Sequence, residues 1–104
     1  GISKTLVKQK TALLFAKRAL PDGQGDWALG YMMPTLGASS SGNYFSQDSL
    51  GHTGFTGTSV WYDPAQDVLV SLLSNRVFLG RDNKKFAQLR KDIHNWVMEG
   101  LKRM

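Results

Sequence analysis

GHTGFTGTSVWYDPAQDVLVSLLSN, residues 51–75, decides the fold, because it holds the strongest strand signals in the chain together with the candidate site. From Thr58 to Tyr62 and from Val68 to Ser74 the residues are mostly β-branched, aromatic or aliphatic. Between them Asp63-Pro64-Ala65-Gln66-Asp67 is turn chemistry, with Asp63 suited to the first turn position and Pro64 pre-setting the backbone of the second. The pattern predicts a β-hairpin with a loop of about five residues. The second strand is apolar on both faces apart from Ser71, which predicts a central strand with a layer on each side.

Just upstream, Gly51, Gly54 and Gly57 fall at every third position around His52, Thr53, Phe55 and Thr56. Glycine in a strand marks a bulge or a close approach by a ligand or another backbone. An imidazole and a hydroxyl among bare backbone N–H groups suit an anionic or carbonyl group. A kinked strand entrance without chemistry accounts for the same spacing.

Working outward toward the C-terminus, Arg76 to Arg81 reads as a connection, and Asp82 or Asn83 suits the N-cap of a final helix. Phe86, Leu89, Ile93, Trp96, Val97 and Leu101 recur at helical spacing, which predicts a core-facing stripe. His94 has no partner ligand at helical spacing, so it reads as a structural or surface histidine and not a metal ligand. Toward the N-terminus, Ser3 is a candidate cap for a short amphipathic helix through Lys4–Lys10, with Leu6, Val7, Leu13 and Leu14 as its apolar stripe. Leu20 to Asp26 is a loop rich in helix breakers. Thr35 to Ser49, rich in Gly and Ser, reads as a long surface loop. The pieces predict an α+β fold: an antiparallel sheet of two to four strands packed with N- and C-terminal helices, in a single domain spanning 1–104.

Composition narrows the function. The chain has 104 residues, 41% hydrophobic and 20% charged, the proportions of a globular domain. No apolar run reaches the length of a membrane span. With no cysteine there is neither a disulfide framework nor a thiolate metal site, and no cofactor or metal is expected. The net charge of +5 collects near the two ends, at Lys4, Lys8, Lys10, Lys17 and Arg18, and again at Lys84, Lys85, Arg90, Lys91, Lys102 and Arg103. Solvated helix faces explain these groups. Without aromatic interleaving or zinc spacing, no nucleic-acid partner is expected.

The run GHTGFTGTSVWYDPAQDVLVSLLSNRV closely resembles the C-terminal part of the serine β-lactamase and penicillin-binding-protein superfamily, in particular its esterase-like branch. Those proteins carry Lys-Thr-Gly, or His-Thr-Gly in many hydrolases, on the strand lining the active site. The resemblance extends to the aromatic residue and Asp-Pro before the turn, the aliphatic run ending in Ser-Asn-Arg, and the basic terminal helix. Trp27-Ala28-Leu29-Gly30 resembles the strand that precedes this motif, with the tryptophan displaced to the front. The resemblance implies that 1–104 is a partial domain, the C-terminal half of a β-lactamase-like α/β domain. The full fold places two N-terminal strands beside the last C-terminal one. An exposed edge from Val68 to Ser74 then invites self-association.

It also implies roles. Thr53 would hydrogen-bond an acyl substrate and His52 would replace the usual lysine. Phe55 would give its backbone N–H to the oxyanion hole, and Gly54 would keep the strand edge clear. An imidazole is mostly neutral near pH 7, which tilts the parent from β-lactam toward ester or peptide hydrolysis. The superfamily's nucleophile is the serine of Ser-x-x-Lys, and none of the serines here has a lysine three positions on. The chain alone is therefore expected to be inactive. Tyr44-Phe45-Ser46 fits a Tyr-x-Ser pattern, but its closeness to His52 in sequence argues for a packing aromatic. A periplasmic or extracytoplasmic parent follows from the resemblance. A non-catalytic module binding peptides or cell-wall fragments, and a small basic nucleic-acid binder, are the alternative functions.

Overall fold

Residues 6–21, 25–35, 37–75 and 85–103 are described by the computed structural model. In chain order they form α1 (Gln9–Ala16), β1 (Leu50–Thr53), β2 (Ser59–Asp63), β3 (Val68–Leu72) and α2 (Lys85–Lys102). The strands make one antiparallel sheet in the order β1-β2-β3. This is the α+β arrangement that the residue patterns predict. Ser3, the connection from Arg76 to Arg81, and the cap at Asp82 or Asn83 lie outside the described residues.

The hairpin forms where the sequence places it. Asp63 pairs with Val68, so the loop is Pro64 to Asp67. Asp63 accepts hydrogen bonds from the backbone N–H groups of Ala65 at 2.9 Å and Gln66 at 3.3 Å. A short side chain bonding its own following backbone is what aspartate contributes to a turn. Asp67, with φ of 53°, completes it in the left-handed region.

Register sorts the side chains into two faces. Gly51, Trp61 and Val70 form one row across the sheet, and Thr53, Ser59 and Leu72 the next. On this inner face Trp61 is fully buried and clusters with Phe45 and with Met98 of α2, while Val68 and Val70 pack against them. Gly51 is required opposite Trp61, since a Cβ there would sit 2.4 Å from the indole. The outer face carries His52, Val60 and Ser71 in one row and Leu50, Tyr62 and Leu69 in another.

Three expectations are corrected. The strand beginning at Val68 is not central: β2 is the central strand and β3 lies at the edge, with Leu69 62% exposed on the uncovered outer face. Its two-sided apolarity needs neighbours that the described residues do not supply. The stripe of α2 is turned from its expected place. His94 and Met98, four apart, are the residues it buries, whereas Leu89, Trp96, Val97 and Leu101 remain exposed. The segment from Thr35 to Ser49 is not simply a surface loop, because Ser39, Ser41, Phe45 and Ser49 are buried. Its polar groups find partners inside: Ser39 and Ser41 share a 2.6 Å hydrogen bond, and Trp61 Nε1 donates to Ser40 Oγ at 3.1 Å.

The same loop is stitched to α2. Asn43 N donates to Asn95 Oδ1 at 2.7 Å, and Tyr44 OH donates to Glu99 at 3.0 Å. α1 also departs from expectation. Lys8 is extended (φ −66°, ψ 145°) and offers no side-chain cap, so the helix begins at Gln9, and it buries no residue. Trp27 to Met33 pairs through single bridges, with Met32 N and O bonded to Gly51 O and N at 2.7 and 2.9 Å.

Candidate functional site

β1 runs out at Thr53, and a tight turn reverses the chain. Gly54 N donates to Thr58 O at 2.8 Å and Gly57 N to Gly54 O at 3.0 Å. Gly57 has φ of 90°, where a side chain is strained. A Cβ at Gly54 would lie 2.2 Å from Thr58 Oγ1. The glycines thus have reasons internal to the turn, and the backbone stands bare around the end of the strand.

Successive residues of a strand point to opposite faces, so His52 and Thr53 do not face one flat groove. They meet at the strand end, where with Gly54 they line a shallow depression of about 320 Å³ shared with Thr58, Ser59, Val60, Ser71 and Leu73. Phe55 lies at the turn, 60% exposed, outside that lining.

His52 is exposed on the outer face. Its Nδ1 lies 2.7 Å from the carbonyl of Thr53. A carbonyl only accepts, so Nδ1 carries the hydrogen, and in the neutral ring Nε2 is left as the acceptor. The Trp27 ring packs edge-on against the imidazole at 5.8 Å, which restricts its rotation. Among the described residues the Thr53 hydroxyl donates to the Met32 sulfur, 3.9 Å away. Thioether sulfur is a weak acceptor, so this hydroxyl is easily given up to a better one.

Other titratable groups serve the fold. Tyr44 donates to Glu99, and this hydrogen bond, with the Glu99 charge, raises the phenol above 10.0. That is the wrong direction for a tyrosinate base, which agrees with a packing role. His94 is fully buried, donates from Nδ1 to Arg90 O at 2.8 Å, and meets Phe45 edge-on. Burial lowers its pKa below 6.5, so it stays neutral. Among the described residues no three His, Cys, Asp or Glu side chains are grouped to hold a metal ion, and no helix is long and apolar enough to cross a membrane.

Sequence reasoning missed two features. Trp27 beside His52 depends on Met32 bridging both Trp27 and Gly51, and single bridges leave no periodicity to read. The clamp on Asp63 by Ser46, which lies 17 residues earlier, has no local signature.

Comparison with known proteins places these pieces. No curated protein and no solved structure matches the chain. A family model described as Beta-lactamase matches residues 3–95, spanning α1, all three strands and the first half of α2. The His-Thr-Gly strand end, the hairpin and the start of the packed terminal helix lie within that match, and the chain belongs to the Beta-lactamase family.

Proposed function

We propose that this chain is the C-terminal portion of a serine hydrolase acting on acyl substrates, to which it contributes the His-Thr-Gly strand while the nucleophile lies outside these residues. The observation that carries this reading is the placement of His52, Thr53 and Gly54 around one open depression at the end of β1, inside the family match. The absence of Ser-x-x-Lys from the sequence supports the division of labour. Thr53 Oγ1 donates to the substrate, and His52 Nε2 accepts a hydrogen bond near the attacking hydroxyl. Phe55 N–H serves as one oxyanion donor. An imidazole in place of the family's lysine favours esters or peptides over substrates whose binding depends on a carboxylate.

In a polypeptide joining these residues to an upstream Ser-x-x-Lys segment, Thr53→Ala is expected to slow acylation about tenfold, the value of one hydrogen bond formed in the transition state. Burst-phase acylation by a nitrophenyl ester measures it. An unchanged rate excludes Thr53 from the site.

The edge strand supports a second part of the reading, self-association. β3 contains no charged residue, and Leu69 and Leu73 are 62% and 84% exposed. An uncharged apolar edge pairs readily with another. The 104-residue chain is expected to sediment as a dimer or larger at tens of micromolar, and Leu69→Lys to restore the monomer. A clean monomer at high concentration contradicts the pairing.

A further inference from the structure

α1 buries none of its own residues, yet it is held in place. Arg18, just past its end, pairs with Asp26 and donates to the Gln47 carbonyl at 3.2 Å, while Ala19 N donates to Trp27 O at 2.8 Å. These bonds fasten the end of the helix to the segment that bridges β1. Between the helix and the sheet they leave a groove of about 590 Å³, within the usual range of ligand pockets. Its walls include Leu6, Val7, Ala12 and Phe15 on one side and Tyr31 and Leu50 on the other, and among the described residues no charged side chain lines it.

Leu50 and His52 alternate on the same outer face of β1, so the groove opens about 7 Å along the strand from the imidazole. The exposed Trp27 ring packs edge-on against the His52 imidazole, so an aromatic surface borders it. We infer that this groove is a subsite for a linear aliphatic chain, the acyl or alkyl arm of an uncharged ester whose carbonyl sits at His52 and Thr53. The inference rests on the hydrolase reading for the carbonyl's position. What selects an aliphatic chain over other occupants is nearness to that site and a described lining that is mostly apolar, with Thr11 and Tyr31 as its hydroxyl-bearing members and no charged side chain. Ala12 and Ala16 keep the groove wide, since larger side chains there would fill it.

Binding needs no nucleophile, so the test uses the chain as it is. Displacement of Nile red, an uncharged apolar dye, by 2-alkanones of roughly four to twelve carbons measures affinity against chain length. Affinity is expected to rise about three- to fourfold per added CH2 until the groove is full, the increment for burying a methylene. Ala12→Trp is expected to abolish that dependence and to weaken the longest ketone at least about tenfold, while leaving the shortest unchanged. Ala12 is exposed, so the substitution disturbs no packing, and an unchanged circular dichroism spectrum verifies it. Thr11→Glu, which places a charge at the groove, is expected to do the same through desolvation. A chain-length dependence that survives both substitutions, or affinity independent of length in the original chain, overturns the subsite. Either outcome leaves the hydrolase reading standing, because that reading falls only on acylation measurements.

Discussion

Asp63→Ala is expected to destabilise the chain by about 3 kcal/mol or more, a large share of the stability of a domain this size. Asp63 is fully buried and accepts five hydrogen bonds: from Ser46 N and Oγ, both at 2.8 Å, from Ala65 N and Gln66 N in the turn, and from Gln66 Nε2 at 2.6 Å. Hydrogen bonds to a charged group are worth about 1.5–3 kcal/mol each, and losing the acceptor strands the Ser46 donors in a partly buried place. The carboxylate therefore does two jobs at once. It sets the β2–β3 turn, and it ties that turn to the loop that brings Phe45 over Trp61.

The charge state gives the same prediction a pH signature. Burial works to raise the pKa of Asp63, but the hydrogen bonds from Ser46 and Gln66 outweigh it and hold the carboxyl below 3.8. A depressed folded pKa means that the stabilisation is complete above about 3.8 and is lost as pH falls through the folded value. His94 acts over a higher window: its folded pKa lies below 6.5, so the unfolded chain binds the proton first and stability declines as pH falls from 6.5. Asp63→Asn keeps the volume and removes the charge, so it should erase the acid-side loss and leave the His94 component. Urea unfolding from pH 3 to 7 reads both, and an Asp63→Ala unfolding free energy within about 0.5 kcal/mol of the original contradicts the clamp.

The second large effect is on rate. Removing one oxyanion donor costs about a hundredfold to a thousandfold in the enzymes where it has been done. In the proposed division, the 104 residues lack one donor, the nucleophile and its lysine together, so no acyl-enzyme forms by the family's route. Most of the described serines are committed to the fold. Ser39, Ser41 and Ser49 are buried, Ser40 accepts from Trp61, Ser46 donates to Asp63 and Ser74 donates to Thr56 O at 3.1 Å, whereas Ser59, paired with Thr53 at the depression, is buried with a hydroxyl that has no hydrogen-bond partner among the described residues. Among the described serines only Ser71 is exposed, in the row with His52 and Val60 but with Val60 between it and the imidazole.

Much of this was legible in residues 51–75, because turn chemistry and strand composition act locally. Asp63-Pro64 fixes the reversal whatever surrounds it, and the His-Thr-Gly run ends a strand because its glycines permit the turn. What could not be read depends on partners distant in sequence. The apolarity of Val68 to Leu73 records a neighbour on each side, and a sequence pattern does not say whether the same chain supplies it. The helix stripe misleads for a related reason: Leu89, Trp96 and Val97 are apolar yet exposed, and the face that packs is anchored instead by His94 and Met98. Buried serines in a Gly/Ser-rich loop defeat a polarity argument, because each hydroxyl has its partner within the fold.

Whether any serine of this chain acts as a nucleophile is the central question about the protein. Hydrolysis of a nitrophenyl ester by the purified chain, measured before and after treatment with an active-site serine reagent, decides it. The predicted result is turnover no faster than buffer with protein of equal amount, unchanged by the reagent and with no covalent adduct on the chain. Reagent-sensitive turnover, with an adduct mapped to a serine among these residues, would contradict it and move the active site into the chain itself.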